Sequence, residues 1–134
     1  MSTRIVAMGD GLWDLFPGGP RFGGATANYA CHASILGAKV HMVSGVGADE
    51  RGDALLEVYR KHGVNTDLVH ALQDYPTGVV HVELKEKGLP TFTIGENAAW
   101  DHWEWNQGIE RTVSSADALY FGTLGQRGPS ARDG

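Results

Sequence analysis

Apolar and polar positions along this chain fall into short unbroken runs, one-sided stripes and one stretch of strict alternation. Ile5-Val6-Ala7-Met8-Gly9 is an apolar run ending in glycine and predicts a buried strand. Leu12-Trp13-Asp14-Leu15-Phe16 predicts a second extended segment. Pro17-Gly18-Gly19-Pro20 is expected to close it, because these residues do not readily continue a strand or start a helix. Thr26 to Leu36 predicts a helix whose small residues Ala27, Ala30, Cys31 and Ser34 share one face, so that its backbone can lie close to a sheet. Gly37 is the stop signal. Val40 to Ser44 predicts the next strand, with a turn at Gly45-Val46-Gly47. Asp49 is placed to cap a helix running to about His62, with Leu55, Leu56 and Tyr59 as its apolar stripe and Lys61-His62-Gly63 as its cationic end. Asp67 to His70 predicts another short strand.

The pattern then changes. Val80, Val82 and Leu84 alternate with His81 and Glu83, Lys85-Glu86-Lys87-Gly88 is a polar turn, and Thr91 to Ile94 alternates again. This predicts a half-exposed β-hairpin set apart from the rest. Trp100 to Trp105 carries three tryptophans among acids, and its pattern does not decide between helix and loop. Ala118 to Gly122 returns to the buried-strand pattern. Strands alternating with helices predict an α/β fold with a parallel sheet. Each face of such a sheet must be covered, yet only about a dozen residues follow Phe121, so the sequence is expected to be the first half of a larger unit.

Composition narrows the function. With 42% hydrophobic and 20% charged residues the chain is a globular domain, neither disordered nor collagen-like. No apolar run is long enough to span a bilayer and no secretory signal precedes the first strand, so no membrane partner and a cytoplasmic location are expected. Eleven basic residues stand against 16 acidic ones without a basic patch, which argues against nucleic acid as the main partner. The single cysteine, Cys31, excludes an internal disulfide and a multi-cysteine zinc site. Glycine occurs 19 times, about double ordinary usage, between apolar segments, as suits tight turns near a ligand.

Two places could carry chemistry. Asp14 lies among Leu12, Trp13, Leu15 and Phe16, where a carboxylate loses hydration unless something donates to it. A polyhydroxylated ligand would do so; an acid at a sheet edge or an amide cap is the plainer alternative. Gly23-Gly24 precedes a helix bearing Asn28 in its first turn, which suits either close ligand approach or an ordinary turn. Gly45-Val46-Gly47 with Gly52 is a poor dinucleotide fingerprint, since Asp49-Glu50 crowd the phosphate position, and no phosphate-loop lysine-serine pair exists. The six histidines share no metal-ligand spacing, and no serine lies in a nucleophile elbow. Trp100, Trp103 and Trp105 could form a sugar-stacking platform or simply pack.

Taken in order, Gly9-Asp10-Gly11-Leu12-Trp13-Asp14, Gly23-Gly24-Ala25-Thr26-Ala27-Asn28, Leu36-Gly37-Ala38 and Val43-Ser44-Gly45-Val46-Gly47-Ala48-Asp49 with Gly52 resemble the N-terminal half of the ribokinase-like, pfkB-type carbohydrate kinases. The likeness continues through Gly63-Val64, Pro76-Thr77-Gly78 and Ala99-Trp100-Asp101, is nearest to fructokinase-like members, and covers the chain up to about Gly125. It implies a three-layer α/β sandwich with a parallel central sheet and a small β-lid, formed by segments 12–16 and 79–94, with the C-terminal half missing. It further implies that Asp14, Gly23, Gly24 and Asn28 contact a small-molecule sugar, and that Leu12, where ribokinases proper carry asparagine, disfavours ribose. The family's catalytic base lies in a Gly-Ala-Gly-Asp signature that does not occur here, so no catalytic residue is expected in this chain. ATP and Mg2+ are implied for the intact enzyme, bound by residues outside this chain. The resemblance is thus to an ATP-dependent phosphotransferase acting on a sugar hydroxyl, with the 134 residues alone inactive. A truncated non-catalytic sugar or nucleoside binding module is the alternative, and pairing of two chains through the lid is a further possibility.

Overall fold

The computed structural model describes residues 2–85, 88–128 and 132. Two four-stranded sheets share the chain. In the first, β1 (Arg4–Met8) is central, flanked by β4 (Lys39–Gly47) and β8 (Ala118–Phe121), with β5 (Val69–Leu72) beyond β4; every pairing is parallel. Side chains alternate across it. Ile5, Ala7, Val40, Met42 and Val46 pack on one face against α1 (Ala25–Ile35) and α2 (Glu50–Lys61). Val6 and Val43 pack on the other with Trp103 and Ile109, the latter from α3 (Gln107–Ser114). Helices on both faces give three layers, as the order of elements predicts.

The second sheet has the order β3-β2-β6-β7, with β2 at Leu12–Phe16, β3 at Gly19–Gly23, β6 at Gly78–Leu84 and β7 at Pro90–Ile94. The predicted hairpin is β6–β7; Glu86 and Lys87 of its turn lie outside the described residues, as do Pro129 and Ser130.

Three local expectations are corrected. Pro17-Gly18-Gly19-Pro20 does not end the extended region: the chain turns at Pro17-Gly18 and returns as β3, antiparallel to β2. Pro20 is tolerated because β3 is an edge strand, where a missing N–H leaves no ladder bond unmade. Gly45-Val46-Gly47 is the buried end of β4, paired with His70 to Leu72, while Asp49 caps α2 as expected by accepting from the Gly52 N–H at 2.7 Å. Ala118 to Phe121 forms its strand but is not buried: β8 is a sheet edge, with Leu119 44% and Phe121 58% exposed.

Candidate functional site

The site is built where β1 passes into β2. Asp10, only 2% exposed, accepts from the Ala25 N–H at 2.9 Å through Oδ2 and from the Thr26 hydroxyl at 2.8 Å through Oδ1. Its backbone carbonyl accepts from the Ala27 N–H at 3.1 Å. Gly24, at the N-cap of α1, has no side chain to satisfy those amides, so Asp10 does it from a distance and pins the helix start to the end of β1. Gly24 itself lies at φ 101°, and a Cβ there would run into the Asp10 backbone. Sequence reasoning passed over Asp10 as a positioning group. Its signal was an acid between two glycines directly after an apolar strand.

Alternation along β2 separates two jobs. Trp13 points toward the main core, meets Phe22 edge-on at 6.3 Å and donates its indole N–H to the Arg51 carbonyl at 2.9 Å. Asp14 faces the opposite side, in register with Arg21 on β3 and Val80 on β6. Arg21 does not neutralise it, because that guanidinium stacks over the Phe16 ring at 4.5 Å. The Asp14 carboxylate has no hydrogen-bond or ion-pair partner among the described residues, and desolvation by burial raises its pKa above the ordinary aspartate value. It occupies the space over Gly23 that any larger side chain would fill.

Asp14 opens into a cleft of about 430 Å3. Leu12, Val80, Phe92 and Ile94 of the second sheet form one wall, and the segment from Tyr120 to Leu124 forms the other. Gly24 and Ala25 at the start of α1 form part of the floor. The structure therefore brings Asp14, Gly23 and Gly24 together. Asn28 stands one turn into α1, exposed, and is not among the residues lining the cleft. A larger surface hollow of about 570 Å3 beside Leu36 and Gly37 carries no charged lining residue and offers no comparable chemistry.

A second junction ties the two sheets. The buried Thr77 hydroxyl donates to Asp49 Oδ1 at 2.7 Å and accepts from the Gly47 N–H at 2.9 Å, while the Thr77 N–H donates to Asp49 Oδ2 at 3.1 Å. Burial pushes the Asp49 carboxyl up, but its bonds with Thr77 and Gly52 and the charge of Arg51 outweigh that and hold it below the usual range. The root of β6 is thereby fixed to the cap of α2. The tryptophans do not make a platform: Trp100 and Trp103 are buried at 1% and 7% exposure, and Trp105 stands apart at 41%.

Among the described residues that line the cleft the charged groups are the carboxylates of Asp10 and Asp14, which disfavour a phosphate beside them, and among the described residues no group of three or more His, Cys, Asp or Glu is placed to hold a metal ion.

Comparison with known proteins agrees with this architecture. The family model described as pfkB family carbohydrate kinase matches residues 19–131. A protein of Pyrococcus horikoshii described as an uncharacterized sugar kinase is 33% identical over 102 residues, which span 76% of this chain and 33% of that protein. Its crystal structure superposes with a TM-score of 0.84 over 96% of this chain and 48% of that one, at 29% identity; it has also been solved in complex with ATP. Fructokinase-2 of Oryza sativa is 35% identical over 79 residues, 59% of this chain and 24% of that protein. The fructokinase of Halothermothrix orenii superposes with a TM-score of 0.79 at 26% identity, covering 97% of this chain and 50% of that one. The chain thus spans half or less of the length of these relatives. With most of its residues matched by the family model and the same layered sheet in place, the chain belongs to the pfkB family of carbohydrate kinases.

Proposed function

We propose that this chain is the sugar-binding half of an ATP-dependent carbohydrate kinase with a fructokinase-like acceptor site. The observation that carries the reading is the Asp14 carboxylate, unpartnered and partly desolvated at the mouth of an apolar-walled cleft, beside a backbone bared by Gly23 and Gly24. A carboxylate so placed costs free energy until donors reach it, and two adjacent sugar hydroxyls are donors of the right spacing. Asn28 stands exposed one turn into α1, outside the cleft lining, and enters this reading only through the family resemblance.

The cleft argues for an uncharged acceptor. Among the described residues that line it there is neither lysine nor arginine, and Asp14 would repel a carboxylate or phosphate on the sugar. Leu12 in the lining removes the polar contact that the resemblance associates with ribose. The second sheet acts as a lid: Leu12, Val80 and Ile94 keep water from the bound hydroxyls, and Asp14 orients them. The cleft supplies the acceptor side only, and the donor nucleotide, its Mg2+ and the catalytic base belong to residues outside this sequence. A cytoplasmic setting suits the single buried thiol, Cys31. Two chains could further pair through the lid, where β7 is an open edge and Leu84, Leu89 and Phe92 are exposed.

The test is titration of the purified chain with neutral ketoses and aldoses, a sugar acid and a sugar phosphate, each with and without ATP and Mg2+. Saturable binding of a neutral sugar without sugar-dependent ADP formation supports the reading. Preference for an anionic sugar, or turnover by the 134 residues alone, contradicts it. Sugar binding that is indifferent to a supplied donor-binding half would favour the binding-module alternative.

A further inference from the structure

The two walls of the cleft come from distant parts of the chain, and one side chain joins them. Phe92 and Ile94 of β7 line one wall; Gly122 to Leu124 line the other. Arg127 follows that second segment by three residues. Its Nη2 donates to the carbonyl of Gly95, the residue after Ile94, at 2.7 Å. Gly95 also donates its N–H to the Val79 carbonyl at 3.0 Å, the last rung between β7 and β6.

The same guanidinium is held at its other edge. Nε donates to Asp101 Oδ1 at 2.8 Å and Nη2 to Asp101 Oδ2 at 2.6 Å, and Cζ lies 4.3 Å from the centre of the Trp100 ring. Asp101 is 5% exposed and also accepts from the Ala98 N–H at 3.1 Å, so the anchor is rigid. Most surface ion pairs contribute little, but a two-point grip on a buried carboxylate, stacked on an aromatic ring, orients a guanidinium closely. Lysine carries the charge without the planar fork, and cannot serve Asp101 twice and Gly95 at once.

We propose that Arg127 is a positioning residue that clamps the end of β7 to the Gly122–Leu124 segment and thereby sets the width of the acceptor cleft. The proposal rests on the reading of that cleft as the sugar site. It assigns no contact between Arg127 and the sugar.

Because Arg127→Ala strands the buried Asp101 carboxylate, the decisive variants are Arg127→Lys and the double variant D101N/R127M, which removes both charges together. Hydrogen exchange followed by mass spectrometry and titration with neutral sugars are measured on each, alongside melting temperature. Both variants are expected to keep cooperative melting, while amides of Phe92 to Gly95 exchange about tenfold faster and the sugar Kd rises about tenfold, with β1 and β4 exchanging as in the wild type. Unchanged exchange in β7, or acceleration spread evenly over β1 and β4, would overturn the clamp. If the wild-type chain binds no neutral sugar, the functional reading fails, and the exchange comparison alone decides on the clamp.

Discussion

The Asp14 carboxylate sits over the bare Cα of Gly23, across the ladder between β2 and β3. Neighbouring glycines here do different work. A methyl group at position 23 would meet the ends of two flexible side chains, Asp14 and Leu12, which can turn aside. A methyl group at position 24 would meet the Asp10 backbone at a φ of 101°. Gly23→Ala should therefore weaken sugar binding by about tenfold while lowering stability by no more than about 1 kcal/mol. Gly24→Ala should cost about 1–3 kcal/mol or more in stability. Calorimetric titration and denaturant melts of both variants check the split.

Asp14 also sets a pH dependence. Its desolvated carboxyl titrates above an ordinary aspartate, and the ionised form accepts from two hydroxyls more strongly than the protonated form, which gives up one acceptor to an O–H. Sugar affinity should be full at neutral pH and fall on acidification, at a pH above the usual aspartate pKa of 3.8. For stability the sign is opposite. A raised folded pKa favours folding at low pH and opposes it once the group ionises. Asp14→Asn should thus melt at or above the wild-type temperature at pH 7, and a clear drop would show Asp14 to be a structural residue instead.

Asp49 behaves the other way. Its folded pKa is depressed, so its contribution is present above the unfolded value of 3.8 and lost as pH falls through the lower folded value. Asp49→Ala removes the cap of α2 and leaves buried Thr77 short of partners. The expected cost is about 1–3 kcal/mol at neutral pH, and the difference from wild type should shrink as pH falls below 3.8 through the depressed folded value. Urea melts across that range measure it.

Cys31 reports on the core. It lies on the core-facing side of α1, and burial pushes its thiol up to about 11. At pH 8 the native chain should react with a thiol reagent at least about a hundredfold more slowly than the urea-unfolded chain. Equal rates would mean that α1 does not stay docked on the sheet.

The sequence made some of this legible and hid the rest for physical reasons. β1 was readable as an unbroken apolar run buried on both faces, and α1, α2 and the β6–β7 hairpin by spacing that sets one face apart within each element. β3 was not, since Pro20 and the glycines around it are tolerated only on an edge strand, and edges are decided by tertiary pairing. The exposure of β8 was hidden because local apolar runs do not reveal whether a neighbour covers them. At the site, Asp14 was visible as an acid among apolar neighbours. Asp10, Thr77 and Arg127 were not, because their partners lie 15 or more residues away in the chain.

The most direct measurement is calorimetric titration of a neutral ketohexose into the wild-type chain and into Asp14→Asn at pH 7, with melting curves of both. The account predicts saturable binding by the wild type, at least about a hundredfold weaker binding by the variant, and a melting temperature that does not fall. Equal affinity in both proteins would contradict it.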